Sequence, residues 1–288
     1  MNVLVSGANG QLGKELEYLF RNHEDLIFYG TDIDTLDITD KEAVKKYISE
    51  NQIDFIVNSA AYTAVDMAED EPEKAYSVNS DAVGILAEIA DIQCIGFITI
   101  STDYVFNGRF FKPINEKQSP NPVSVYGKSK YEGEKKAILK NTFSIIIRTS
   151  WLYSPHGKNF AKTILSLSQE RDELNVVFDQ VGTPTSARDL AQAIIEILLQ
   201  SREDFRKYSG IYHFSNEGVC SWYDFAFEIV RLAGNNCKIT PVSSDEFPTK
   251  AERPYYSVLD KSKIKKTFNI KIPHWTESIA ICIKELQN

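Results

Sequence analysis

Hydrophobic and polar positions follow two rhythms along this chain. Short, continuous apolar runs at 2–6, 26–31, 54–61, 96–101 and 143–148 have the length and bounded ends of strands buried on both faces. Between them the apolar positions fall at helical spacing. Residues 41–50 set Val44, Tyr47 and Ile48 on one stripe, and Thr39 with Glu42 has the spacing of a capping box, so a helix is expected to start there. Pro72 sits where another should begin, with Ala75, Val78, Ala82, Ile85, Leu86 and Ile89 on one face. A proline-bearing loop over 109–123 precedes a charged helix expected from Tyr126 to about residue 140. Strand alternating with helix up to about residue 150 predicts an α/β fold built on a doubly wound parallel sheet. Beyond that point the rhythm loosens. Helices are expected at 160–170, 186–199, 221–233 and 276–286, short strands at 176–178 and 211–214, and loops over 241–254.

The first apolar run delivers the backbone into Gly7-Ala-Asn-Gly10-Gln11-Leu12-Gly13, which opens a helix-like segment. Glycines leave no Cβ between peptide N–H groups and an anion, and the following helix N-terminus offers unpaired donors and partial positive charge. The pattern is G-x-x-G-x-x-G, a variant of the dinucleotide fingerprint. The second strand ends at Asp32, about twenty residues on, where an acid ordinarily meets the adenosine ribose. These features predict a Rossmann-type dinucleotide-binding domain over 1–150, with a strand near 210–215 returning to its sheet. A smaller, interleaved C-terminal substrate lobe is expected over 151–288.

Charge and composition narrow the partners. A net charge of -8 across 288 residues argues against nucleic acid, and the longest apolar runs are too short for a bilayer. Cys94, Cys220, Cys237 and Cys282 are scattered, with neither a C-x-x-C pair nor a secretory leader, which suits the reducing cytoplasm. The four histidines have no metal-ligand spacing, and no nucleophile elbow or Walker loop is present.

Tyr126 and Lys130 lie four residues apart, on one face of the charged helix. An ammonium beside a phenol favours the phenolate and lowers its pKa, making a general acid/base for carbonyl–alcohol interconversion. Thr102, at the end of the preceding strand, is placed to hold the substrate oxygen beside the phenol.

With Gly7 to Gly13 and the Asn58-Ser59-Ala60-Ala61 turn, Tyr126 and Lys130 make the chain resemble the extended short-chain dehydrogenase/reductases. The blocks at 62–66, 101–106, 148–151, 159–162 and 179–185 narrow the likeness to the dTDP-4-dehydrorhamnose reductase family, nearly end to end. The resemblance implies NAD(P)H-dependent reduction of the C4 carbonyl of dTDP-4-dehydro-β-L-rhamnose, the last step of dTDP-L-rhamnose synthesis for polysaccharides. It implies that Gly7, Gly10, Gln11 and Leu12 hold the pyrophosphate, that Asp32 lies near the adenosine ribose with Asp37 and Ile38 by the adenine, and that Ala60, Ala61, Tyr62 and Thr63 line the way to the nicotinamide. Thr102 and Asp103 then touch the sugar, Tyr126 protonates its C4 oxygen, and Lys130 binds the nicotinamide ribose. Trp151 and Arg253 meet the substrate, although Tyr256 stands where the family usually has Asn. An acid at Asp32 favours NADH on general grounds, whereas the family takes NADPH, often both; the expected cofactor is NADPH, with NADH as the alternative. Some relatives hold a divalent metal such as Mg between acidic side chains at a dimer contact. Glu15 matches one such position, but 187–190 supplies no clear second, so no metal is expected. A monomer and a homodimer both remain open. The competing activities are a nucleotide-sugar epimerase or dehydratase of the same fold, which recycles its cofactor, and a non-catalytic NADP-binding regulatory subunit, which needs none of Thr102, Tyr126 and Lys130.

Overall fold

The apolar runs assemble into one six-stranded sheet in which every neighbouring pair is parallel. A computed structural model describes residues 1–287. In chain order its first half comprises β1 (Asn2–Ser6), α1 (Gln11–Phe20), β2 (Ile27–Thr31), α2 (Lys41–Glu50), β3 (Phe55–Asn58), α3 (Val65–Ala68), α4 (Pro72–Tyr76), α5 (Ala82–Ile92), β4 (Gly96–Thr102), α6 (Val125–Lys140) and β5 (Ile145–Thr149). The second half comprises β6 (Leu152–Tyr153), α7 (Phe160–Glu170), β7 (Glu173–Val177), β8 (Val181–Gly182), β9 (Thr185–Ser186), α8 (Ala187–Ser201), β10 (Gly210–His213), β11 (Cys220–Ser221), α9 (Trp222–Ala233), β12 (Lys238–Val242), α10 (Ser262–Phe268) and α11 (Trp275–Gln287). The sheet order is β10-β5-β4-β3-β1-β2. The chain reverses direction between β1 and β3, so a crevice opens at their carboxyl ends, where open α/β sheets bind ligands.

Strand residues alternate between two cores, as a period of two requires. Val3, Val5, Ile145 and Ile147 pack on the side of α1 and α8, while Leu4 and Ile146 pack on the side of α2 and α5. A third core, with Leu165, Val176, Phe225, Ile229 and Ile279, holds α7, α9 and α11 around the β7–β12 pair. The second half is interleaved with the first: β10 pairs with β5, and Leu190, Ile194, Ile264 and Phe268 of α8 and α10 fill the first core.

Three local expectations need correction, and one helix was not expected. Helix α2 starts at Lys41, but its cap is Asp40, whose carboxylate accepts from Glu42 N and Ala43 N; Thr39 Oγ1 is spent on Asp37 at 2.7 Å. The run begun by Pro72 is interrupted at Ser77–Asp81 by a π-helical turn, which turns Asn79 inward. Pro241 lies in β12 rather than a loop, because a two-stranded sheet leaves one side of each strand unpaired and a missing N–H is tolerated there. Helix α10, only seven residues long, has too short a periodic stretch to announce itself. Among the described residues no helix is long and apolar enough to cross a membrane.

Candidate active site

Gly7 follows β1 with φ +72°, and a Cβ on it would lie 2.7 Å from Ala60 N, so the turn after β1 and the turn after β3 close together only over a glycine. At Gly10 a Cβ would meet nothing but Gly7 O within 4 Å, and the first turn of α1 carries no capping side chain. Open space in front of uncapped helix N–H groups fits an oxyanion. Asp32 Oδ2 accepts from Asn9 N at 3.0 Å, so the acid props the glycine loop. Gly7, Gly10, Gln11, Leu12, Asp32, Asp37, Ile38, Ala60, Ala61 and Thr63 all line one cavity of about 1940 Å³. That volume exceeds the ~300–1000 Å³ of an ordinary single-ligand pocket and admits two ligands end to end. Tyr62 is the exception. It does not line the cavity; its hydroxyl donates to Glu71 at 2.7 Å and Lys74 lies over its ring. Its backbone is fixed by Asn79, which accepts from Tyr62 N at 2.9 Å and donates to Tyr62 O at 3.0 Å.

Thr102, Asp103, Tyr126, Lys130, Trp151 and Arg253 line the same cavity. Helix α6 is capped by Ser124 accepting from Gly127 N, and Tyr126 in its first turn meets the Tyr104 ring edge-on at 5.5 Å. Thr102 Oγ1 accepts from Tyr104 N at 3.2 Å and donates to Asp103 Oδ1 at 3.0 Å. Burial pushes the Tyr126 phenol up to about 12; the Thr102 hydroxyl pulls it back and the Asp103 charge pushes it further. Lys130 does not acidify it. The ammonium donates to Ile100 O at 2.7 Å, and burial brings it down to about 8 against the pull of Glu134. The expectation of a phenol acidified by its neighbour is therefore corrected, because desolvation dominates. The phenol holds its proton at neutral pH, the form that a proton donor needs.

Burial also raises the Asp103 carboxyl to about 6, with hydrogen bonds from Ser257 and Thr102 opposing. Asp103 Oδ2 and Thr149 Oγ1 are buried polar atoms with no hydrogen-bond partner among the described residues. Both residues line the cavity, so an incoming ligand with hydroxyl groups would satisfy them.

Several contributors escaped the sequence reading. Glu134 continues the Tyr126–Lys130 stripe by one turn and is held by Arg148 at 2.8 and 2.6 Å and by Ser101 Oγ at 2.5 Å, all buried. The signal was available: a lone arginine in an apolar strand demands a buried partner. Trp222 stacks on Trp151, centroids 3.6 Å apart and planes 11° from parallel, and both line the cavity. Trp151 itself has φ +47°, a strained position for a bulky residue. Glu15, fully buried, is bonded to Arg188 at 2.8 Å, and Arg188 also pairs with Glu285. The acid that matches one metal-ligand position of some relatives is thus paired here with a guanidinium. Among the described residues no group of three or more His, Cys, Asp and Glu could hold a metal ion.

Comparisons with known proteins agree with this geometry. The family described as "RmlD substrate binding domain" matches residues 1–288. A dTDP-4-dehydrorhamnose reductase of Sinorhizobium fredii is 41% identical over 286 residues, covering 96% of this chain and 95% of that protein. The crystal structure of a dTDP-4-dehydrorhamnose reductase from Clostridium acetobutylicum is 41% identical, with a TM-score of 0.94 over 100% of both chains. One from Bacillus anthracis, in complex with NADP, is 37% identical, with a TM-score of 0.93 over 99% of both. With a parallel sheet, a glycine cradle and a Thr-Tyr-Lys wall facing one cavity, and with relatives this similar along its whole length, the chain belongs to the dTDP-4-dehydrorhamnose reductase family.

Proposed function

We propose that this protein uses NADPH to reduce the C4 carbonyl of dTDP-4-dehydro-β-L-rhamnose, giving dTDP-L-rhamnose. The observation that carries the reading is one continuous cavity with an uncapped helix N-terminus at one end and Thr102, Tyr126 and Lys130 in its wall. The uncapped donors of Gly10, Gln11 and Leu12 suit the dinucleotide pyrophosphate, while Asp32, Asp37 and Ile38 bound the adenosine end. Ala60, Ala61 and Thr63 flank the route toward Lys130, which binds the nicotinamide ribose. The bound cofactor supplies the hydride. Thr102 and Tyr126 hold the sugar oxygen, and Tyr126, protonated at neutral pH, gives its proton to the oxygen as negative charge develops there. Asp103 accepts a hydrogen bond from a sugar hydroxyl, Trp151 packs on the substrate, and Arg253 meets its diphosphate. The exposed Cys94 thiol and three unpaired buried cysteines suit the cytoplasm as the place of work.

A coupled assay with the 4-keto sugar nucleotide and each reduced cofactor tests the proposal. One NADPH is consumed per dTDP-rhamnose formed. Isomerisation of the keto sugar with no net NADPH consumption would make the protein an epimerase-type enzyme instead, and cofactor binding without turnover would make it a regulatory subunit.

A further inference from the structure

Asp66 and Arg253 stand 187 residues apart and belong to different lobes, yet they meet where Arg253 lines the cavity. Arg253 donates through NH2 to Asp66 Oδ2 at 2.7 Å and through NH1 to Oδ1 at 3.2 Å. The backbone of the same loop joins in, Ala251 N donating to Asp66 Oδ1 at 3.0 Å, and one turn away Lys250 pairs with Asp70. Arg253 NH1 also donates to Ala251 O at 3.3 Å. Its hydrogen bonds to Asp66 and Ala251 run through the two terminal nitrogens and none of them uses Nε–H, so the edge that carries it, with the Tyr104 hydroxyl also bonded to the guanidinium, is the one that another acceptor can approach.

We propose that Asp66 is a positioning residue for substrate binding: it clamps the Arg253 guanidinium end-on, so that the edge carrying Nε–H meets the diphosphate of the sugar nucleotide while the two lobes are tied together beside the cavity. This rests on the function proposed above. Asp66 serves the anion although it carries the same sign of charge. Its carboxylate is 44% exposed, so water screens its repulsion of a diphosphate, whereas Arg253 is only 22% exposed and its ordering is fully felt. An arginine already fixed in its bound rotamer loses less freedom when the ligand arrives. The Arg253 guanidinium in turn holds the Asp66 carboxyl below its ordinary range, so the clamp persists across neutral and mildly acidic pH.

The test uses the full chain with NADP⁺ bound, titrated calorimetrically with thymidine 5′-diphosphate, for wild type, Asp66→Asn, Arg253→Met and the double variant. Asp66→Asn is expected to weaken binding about tenfold and Arg253→Met at least as much, the double variant being within about twofold of Arg253→Met alone. In steady state the Asp66→Asn loss falls on KM for the sugar nucleotide, with kcat and KM for NADPH within about twofold of wild type. Unchanged or tighter binding by Asp66→Asn would overturn the proposal, as would additive losses in the double variant or a wild type that does not bind the diphosphate. Failure of the functional reading shows itself differently, as absent turnover of the keto sugar by wild type.

Discussion

Tyr126 keeps its proton because the wall around it is poorly solvated, and it gives that proton up only to an oxygen made basic by hydride arrival. Tyr126→Phe removes the proton and little else. Turnover should fall by roughly two to four orders of magnitude while NADPH affinity stays within a few fold, read by single-turnover kinetics and cofactor titration. Two neighbours set the pH range. Asp103 is raised to about 6, so its acceptor form is lost as pH falls through that value; Lys130 is lowered to about 8, so its ammonium is lost as pH rises through that one. A bell-shaped kcat/KM with limbs near those values is expected. Because the Glu134 charge supports the ammonium, Glu134→Gln should move the alkaline limb to lower pH and leave the acid limb in place. An alkaline limb that stays put in that variant removes Lys130 as its origin.

At the scale of the element, α6 carries the site and owes its position to close backbone approach. A Cβ on Gly133 would collide with the carbonyl oxygen of Asn79 in the π turn, and that carbonyl cannot swing aside without moving the Asn79 side chain that holds Tyr62. Gly133→Ala gains ~1 kcal/mol of helix propensity and loses more to the collision, so net destabilisation of about 1–3 kcal/mol is expected in urea unfolding. Gly84→Ala is the contrast. Its Cβ would lie 3.3 Å from both Cδ and Cβ of Lys136; the first can swing aside and the second moves only with α6, so the ~1 kcal/mol of helix propensity gained is largely offset and stability should change by less than about 1 kcal/mol. The stripe Tyr126–Lys130–Glu134 was half legible. Spacing put the first two on one face, but the importance of Glu134 depends on Arg148 and Ser101 arriving from two strands.

Across the whole molecule, the lobes are joined by groups that sit far apart in the chain. Gln11 in the glycine loop accepts from Asn159 at 2.9 Å, Asp66 holds Arg253, and Arg188 links Glu15 to Glu285. Arg188→Met would leave the fully buried Glu15 carboxylate facing only His156 at 3.7 Å among the described residues; because Arg188 is itself 30% exposed, a loss of about 2–4 kcal/mol is expected, below that of a wholly buried pair. Thermal unfolding at fixed pH checks it, since a midpoint lowered by less than about 3 °C would mean water reaches Glu15. What the chain determined by itself is what covalent geometry and period carry: which runs become buried strands, where glycines open the first turn, and that Tyr126 and Lys130 share a face. What tertiary structure decided is the company each group keeps. Tyr62 turned to Glu71, Asp40 displaced Thr39 as a cap, the phenol was raised instead of acidified, and Arg253 was caught by Asp66. Periodicity acts within a few residues, whereas desolvation and the pairing of charges are set by atoms brought together from anywhere in the sequence.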